Sequence, residues 1–297
     1  MKKLILKIIL FAFIPVPLFL LLGLRQEKDK IITAKRHLFV QYKESTQCLI
    51  TGTSHTMTGI NPTLLPMKAL SIAEDSKPVE VDIEIIEQNL NQLLNLKYVI
   101  IPVDYFTFYY TGLQEKSTFK YYHHWGLKNG FVKAYHLKRY HAFTCGFQIN
   151  EHENIEDNDT LMGYKPMFTD LSKVPANSKS TSCHGKLTYW HDYWIDTSST
   201  QKIFTRIEGF ISMLQKKKIQ TILVTMPVCQ ELNNLFDPVL LKRNDQLINS
   251  LLHSTHVRYL NLQDNHLLMA DSLYKDVDHL NDIGATIATN IIKDYLK

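Results

Sequence analysis

The sequence predicts an α/β protein with a doubly wound, parallel sheet of five strands. Two continuous apolar runs, at 98–103 and 221–227, are typical of strands that are buried on both faces of a parallel sheet. These runs alternate with segments whose apolar residues recur at helical spacing, which indicates βαβ units. With 297 residues and 45% hydrophobic content, the chain can form one α/β domain with an elaboration, or two small domains.

The first third of the chain contains three of the predicted strands. The run before Thr51 is apolar and ends at a turn, and the residue before Pro62 is biased away from helix, so a short helix is expected from Thr63. Apolar residues at helical spacing predict an amphipathic helix at 79–95. In chain order, the elements are a connecting helix or linker at 31–43, strands at 47–51 and 68–73, the helix at 79–95 and the strand at 98–103.

Regular patterning is absent from the middle of the chain and returns near residue 200. A structureless loop of that length is unusual, so we predict an inserted subdomain or lid at 105–199, partly helical around 131–143. The α/β domain then comprises 31–104 and 200–297. Lysines at 216–218 suit the carboxyl end of a helix. The remaining elements are a helix at 200–218, a strand at 221–227, a helix at 239–253, a strand at 257–262 and a helix at 283–296.

The first 30 residues are predicted to form an N-terminal membrane helix. Lys2, Lys3 and Lys7 precede an uncharged apolar segment at 8–24. Small residues typical of a signal-peptide cleavage site do not follow, which favours an uncleaved anchor over a signal peptide. We therefore expect the rest of the chain to face the periplasm or the extracellular side, although basic residues on the far flank weaken the orientation signal. A buried apolar helix is the alternative.

Composition and cysteine content limit the other function classes. The net charge of +4 comes from 33 basic and 29 acidic residues that are scattered along the chain, so nothing supports nucleic-acid binding. Four cysteines are too few for a disulfide scaffold. Cys48 and Cys229 are expected to be small buried residues, whereas Cys145 and Cys183 are a candidate disulfide pair in an oxidising compartment.

A serine follows the first predicted strand, and its candidate partners lie near the carboxyl terminus. Ser54 is placed at the strand's carboxyl end, where open α/β sheets bind ligands. Serine becomes a nucleophile when a base takes its proton, and that base needs a third group to orient it. His279 follows the fifth predicted strand, so the sheet would bring it to the same rim, and Asp276 precedes it by three residues.

Gly52-Thr53-Ser54-His55 after a strand, with Asp276-x-x-His279-Leu280-Asn281 and Gly284 near the carboxyl end, resembles the GDSL/SGNH hydrolase superfamily. The sequence is most similar to the superfamily's membrane-anchored bacterial branch, which is related to the D-alanyl transfer protein of teichoic acid synthesis. The resemblance covers 47–104 and 200–297. It implies a flavodoxin-like sheet with a large insert after the third strand, no cofactor, Ser54 as nucleophile, His279 as general base and acid, and Asp276 as the orienting carboxylate.

The sequence departs from the superfamily pattern around the expected oxyanion hole. Thr53 replaces the usual aspartate, and no clear match exists for the glycine after the second strand or the asparagine after the third. Loss of one oxyanion donor costs about 100- to 1000-fold in rate. Backbone amides at Ser54 and around Ala73 and Glu74 are the candidate donors. His55 is expected to line the pocket or to pack behind the turn.

Each of these assignments has a structural alternative. In that alternative, Ser54 is only a helix cap, His279 is an ordinary loop histidine, and Asp276 or Asp278 is a cap. The spacing of His123-His124 and His191-Asp192 fits no standard ligand set, so no metal site is predicted. The aromatic residues of the insert suit either a surface for sugars and lipid headgroups or a plain subdomain core.

These observations lead to two functional hypotheses. The first is an extracytoplasmic serine esterase or O-acyltransferase that acts on an acylated cell-envelope glycan or polymer. The second is a catalytically idle envelope accessory protein with an SGNH-like fold, which binds a glycan or a membrane acyltransferase partner. A phosphate-binding module is a weaker idea, because the chain has no glycine-rich phosphate loop.

Overall fold

The structure is a computed structural model that describes residues 30–112, 121, 124–127 and 159–296. The predicted membrane segment, the helical region expected at 131–143 and residues His123 and Cys145 lie outside this part of the chain. Among the residues described, no helix combines the length and apolar character needed to cross a bilayer.

Five parallel strands form the single sheet of the described chain, in the order β2-β1-β3-β4-β5. This finding confirms the predicted α/β class and the five-stranded parallel sheet. The same order is found in flavodoxin-like sheets, whose ligands bind beyond the carboxyl ends of the strands. The strands are β1 (Cys48–Ile50), β2 (Ala69–Ser71), β3 (Tyr98–Pro102), β4 (Gln220–Thr225) and β5 (Arg258–Asn261).

Eight α-helices accompany the sheet in the described residues. Most predicted boundaries agree to within two residues, but α3 ends at Asn89 and continues as a 3-10 turn instead of reaching residue 95. The helices are α1 (Lys30–Tyr42), α2 (Ser54–Gly59), α3 (Val79–Asn89), α4 (Ala176–Tyr193), α5 (Thr200–Lys216), α6 (Gln230–Asn233), α7 (Pro238–Thr255) and α8 (Asp282–Leu296). Sequence patterns did not indicate α2 and α6, which are too short, or α4, which is largely polar.

Both faces of the sheet are covered, because successive side chains of a strand point to opposite faces. Leu49 and Val99 face a core that α1, α3 and α5 complete, whereas Ile50 and Ile100 face a second core completed by α4 and α8. Of the two interpretations of 31–43, the helix is confirmed and the linker is wrong. That segment is α1, and its apolar residues pack into the first core.

The described end of the insert packs against the second core. Trp190 of α4 and Trp194, which directly follows that helix, contact Phe106 after β3, and all three side chains are buried. These aromatic residues therefore form core, while Tyr189 and Tyr193 of α4 are exposed. Cys183 lies beside Cys229 with 3.9 Å between the sulfur atoms, so its described neighbour is not the partner proposed from the sequence. The division into an α/β domain and an inserted subdomain stays a prediction.

Candidate active site

The turn after β1 places Ser54 at the rim of the sheet. Gly52 has φ +112°, and a Cβ atom at this position would lie 2.3 Å from Cγ of Pro102. Only glycine suits that backbone conformation and that close approach. Thr53 caps α2, because its side chain accepts a hydrogen bond from the backbone N–H of His55. Ser54 is therefore not the helix cap, and its hydroxyl is directed elsewhere.

The structure brings together the three residues that the sequence suggested as a catalytic group. The Ser54 hydroxyl lies 2.8 Å from Nε2 of His279. On the other side of the ring, Nδ1 of His279 lies 2.9 Å from a carboxylate oxygen of Asp276. That oxygen also accepts the backbone N–H groups of Asp278 and His279, so the loop holds the carboxylate in place. Both contacts are within the range of hydrogen bonds.

A second carboxylate, Asp278, also faces His279. Its Oδ1 lies 3.3 Å from Nδ1 of His279, and its Oδ2 lies 3.0 Å from Nζ of Lys186 in α4. The sequence suggested only a cap for this residue. The spacing Asp276-x-Asp278-His279 does place two carboxylates near the histidine, but Lys186 is distant in the sequence and carried no comparable signal.

His55 lies behind the nucleophile turn, as one of the two interpretations of this residue expected. Its ring is buried, with Nδ1 3.1 Å from Asp104 and Nε2 3.6 Å from Asp278. Asp104 also accepts the backbone N–H of Met226 at 2.8 Å. His55 and Asp104 form part of the wall of a cavity of about 210 Å³ at the carboxyl ends of β3, β4 and β5.

Two of the candidate oxyanion donors are unsuitable. The backbone N–H of Glu74 already donates to the carbonyl of Gly52 at 3.0 Å, and the Glu74 side chain accepts the indole N–H of Trp125. Both Ala73 and Glu74 are completely buried, so a substrate cannot reach them. The Ser54 amide remains a predicted donor.

Beneath the nucleophile turn lies a group of buried charges that the sequence did not indicate. The Asp82 carboxylate accepts the Gly52 N–H at 2.9 Å and pairs with Lys77 at 2.7 Å. Burial raises the pKa of Asp82 to about 6, although Lys77 opposes this change. Lys35 is buried nearby and donates to the carbonyl of Gly163. Burial lowers the pKa of Lys35 to about 7, against the attraction of Glu74.

The histidines of the site favour their protonated forms. Burial alone lowers the pKa of His279, but the Asp278 and Asp276 carboxylates outweigh burial and raise it to about 9. In the same way, Asp104 and Asp278 outweigh burial at His55 and raise its pKa. Burial favours a protonated Asp278, but His279, His55 and Lys186 hold the pKa of this carboxyl well below its usual range.

One group of side chains in the described chain has metal-ligand geometry. Donor atoms of His55, Asp278 and His279 all lie within 4.8 Å of one another. Lys186 already supplies a positive charge to Asp278, and His279 uses Nδ1 to contact carboxylates. These contacts favour an acid–base site over a metal centre. His191 lies 3.2 Å from the hydroxyl of Tyr105, and its predicted lack of a metal-binding role stays a prediction.

Comparisons with known proteins show no close relative. No protein-family model matches the chain, and no curated protein matches it. A solved structure from Streptococcus pneumoniae, provisionally described as a platelet activating factor, covers 97% of this chain and 99% of its own. Its sequence identity is 12% and its TM-score is 0.43, so the similarity does not support an assignment of function.

Proposed function

We propose that this protein is a serine esterase or O-acyltransferase of the SGNH type. The observation that carries the proposal is the continuous contact from the Ser54 hydroxyl to His279 at 2.8 Å, and from His279 to Asp276 at 2.9 Å. A hydroxyl, an imidazole and a carboxylate in this order form the general arrangement of serine acyl-transfer enzymes, and it is recognised by geometry and not by sequence position.

The proposed reaction has two steps. Neutral His279 takes the Ser54 proton as the hydroxyl oxygen attacks the ester carbonyl, and the protonated ring then gives that proton to the departing alcohol. The acyl group is now an ester of Ser54. Water or a sugar hydroxyl next loses its proton to His279 and attacks the acyl-enzyme, which releases Ser54. The carboxylates beside Nδ1 stabilise the imidazolium in both steps.

An acylated cell-envelope glycan or polymer is the proposed substrate class. The apolar, lysine-flanked segment at 1–30 supports a membrane-anchored location facing the periplasm or the extracellular side. The resemblance to the anchored bacterial branch supports the same class of substrate. A membrane acyltransferase is a further proposed partner.

Replacing the proposed nucleophile tests this function directly. Ser54→Ala should reduce the turnover of p-nitrophenyl acetate by about 1000-fold or more, because the base then has no nucleophile to activate. Ser182→Ala is the matched control, since that exposed hydroxyl only contacts the carbonyl of Ser178 within α4. A fluorophosphonate probe should label the wild-type protein at Ser54. Esterase activity that survives Ser54→Ala would refute the proposal.

Two observations favour the alternative of a catalytically idle accessory protein. The candidate donor at Glu74 is already bonded to Gly52, and the sequence lacks the usual glycine and asparagine of the oxyanion hole. This alternative predicts that the fluorophosphonate probe fails to label Ser54, while immobilised protein retains an acylated glycan or the membrane acyltransferase. Labelling of Ser54 together with ester turnover contradicts it.

A further inference from the structure

We infer that Asp278 is a positioning residue for His279, and that its buried carboxylate stabilises the protonated ring while it shares its charge with Lys186 and His55. The catalytic consequence of this inference rests on the proposed function, but the arrangement itself can be tested without any turnover. The inference assigns the stabilisation of the protonated ring to Asp278. The sequence had suggested Asp276 as the carboxylate that acts on His279.

The two carboxylates beside His279 have different surroundings. The Asp276 side chain is 38% exposed, and its Oδ1 is shared among one ring nitrogen and two backbone N–H groups. The Asp278 side chain is 5% exposed. Because water weakens the field of an exposed charge far more than that of a buried one, Asp278 at 3.3 Å acts strongly on His279 despite the longer distance. Asp276 shapes the loop, and Asp278 supplies the charge.

Asp278 is itself held from two other directions. Lys186 contacts Oδ2 at 3.0 Å from α4, and His55 approaches the same oxygen at 3.6 Å from α2. His55 is in turn held by Asp104 at 3.1 Å, and its ring makes edge contacts with Phe106 and Trp190. Oδ1 is therefore directed towards His279 while Oδ2 faces the other two cations.

The charged groups that face one another around His279 are nearly balanced. They are the carboxylates Asp104, Asp276 and Asp278, and the cationic or titratable groups His55, His279, Lys186 and Lys275, the last at 3.5 Å from Asp276. Removing the charge of Asp278 leaves His279 with one exposed carboxylate and should weaken its hold on the proton. Removing Lys186 relieves a competing cation and should strengthen that hold.

The test is an NMR titration of the His279 ring in the full chain, assigned with His279→Gln. A charge at this distance changes a neighbouring pKa by about 1–3 pH units. Asp278→Asn should lower the pKa of His279 by an amount in this range, and Asp276→Asn should lower it by less. Lys186→Met should raise it. Lys173→Met, at a highly exposed lysine that pairs with Asp170, is the control and should leave it unchanged.

A larger decrease in Asp276→Asn than in Asp278→Asn would overturn the inference. If Asp278→Asn does not fold, Lys186→Met still decides the question, because an unchanged or lower pKa of His279 in that variant contradicts the role of Lys186. In active protein, the pH profile of kcat/KM should move in the same direction as the titration. If the pKa of His279 changes as expected in the variants but the protein shows no ester turnover, the proposed function is refuted and the inference about Asp278 stands.

Discussion

Two groups of charged side chains lie near the nucleophile turn. The histidine network consists of His55, Asp104, Lys186, Asp278 and His279, and the support network consists of Lys35, Glu74, Lys77 and Asp82. In the histidine network, side chains contact one another and one of them reaches the Ser54 hydroxyl. In the support network, the Asp82 carboxylate accepts the backbone N–H of Gly52, and the backbone N–H of Glu74 donates to the Gly52 carbonyl.

The comparison shows that charged groups next to the same turn can affect different properties, stability in one case and proton binding in the other. The support network binds backbone atoms, so its loss should be measured as lost stability and a displaced turn. The histidine network surrounds a ring that can gain or lose a proton, so its loss should be measured in pH dependence. This difference leads to four further predictions, given from the largest expected effect to the smallest.

The first prediction concerns the backbone of the turn. Gly52→Ala places a methyl group 2.3 Å from Pro102 and forces a left-handed conformation on alanine. Backbone strain of about 1–3 kcal/mol and overpacking of about 1–3 kcal/mol together predict a loss of about 2–6 kcal/mol in unfolding free energy. Esterase activity should fall as well. Urea denaturation and p-nitrophenyl acetate turnover measure the two effects.

Gly185→Ala is the matched control for this substitution. A Cβ atom there meets no atom within 4 Å, and the residue lies inside α4. Alanine in a helix interior is more favourable than glycine by about 0.5–1 kcal/mol, so this variant should be slightly stabilised. Equal stability of the two variants would show that the turn does not require glycine.

The second prediction separates buried from exposed ion pairs. Lys77→Met removes the partner of Asp82, whose carboxylate stays buried, and should cost about 3–5 kcal/mol of unfolding free energy. Lys202→Met removes the partner of Glu80 on the surface, at 2.8 Å with the lysine 68% exposed. That change should cost less than about 1 kcal/mol. Thermal and urea denaturation compare the two variants.

Similar losses in both lysine variants would contradict the proposed role of the support network. The histidine network provides a further comparison, because Lys77→Met should leave the pKa of His279 unchanged while it lowers stability. An altered His279 titration in this variant would mean that the two networks are coupled through the turn.

The third prediction is a pH dependence of the histidine network. The base form of His279 predominates only above its pKa of about 9. Below that value its fraction increases about tenfold per pH unit, so kcat/KM should rise by the same factor and level off above pH 9. Initial rates between pH 6 and 10, corrected for spontaneous ester hydrolysis, measure the profile. A plateau that is already reached at pH 7 would contradict the proposed electrostatics.

The same raised pKa predicts a smaller change in stability with the opposite pH dependence. The folded protein binds the His279 proton more tightly than the unfolded chain, whose histidine has a pKa of 6.5. The resulting stabilisation is complete below pH 6.5 and is lost as pH rises towards 9. The unfolding free energy of wild-type protein should decrease across this interval more than that of His279→Gln. Equal pH dependence of the two proteins would exclude this contribution.

By itself, the sequence determined the elements that local patterns specify. Apolar runs at 98–103 and 221–227 predicted β3 and β4, because a strand buried on both faces has few polar positions. Helical spacing predicted α5, α7 and α8 to within a few residues. The Asp276-x-x-His279 spacing and the serine after β1 suggested the catalytic group, since a loop turn brings residues three positions apart into contact.

Only the tertiary structure decided which distant charges meet. Lys186 and Asp278 belong to different parts of the chain, and so do His55 and Asp104, so no spacing rule relates them. The same applies to Lys77 beneath Gly52, and to α1, whose role in the core depends on the sheet face that it covers. Burial strengthens the electrostatic interactions between these charges, because less water screens them. That burial arises only when the strands bring their carboxyl ends to one rim.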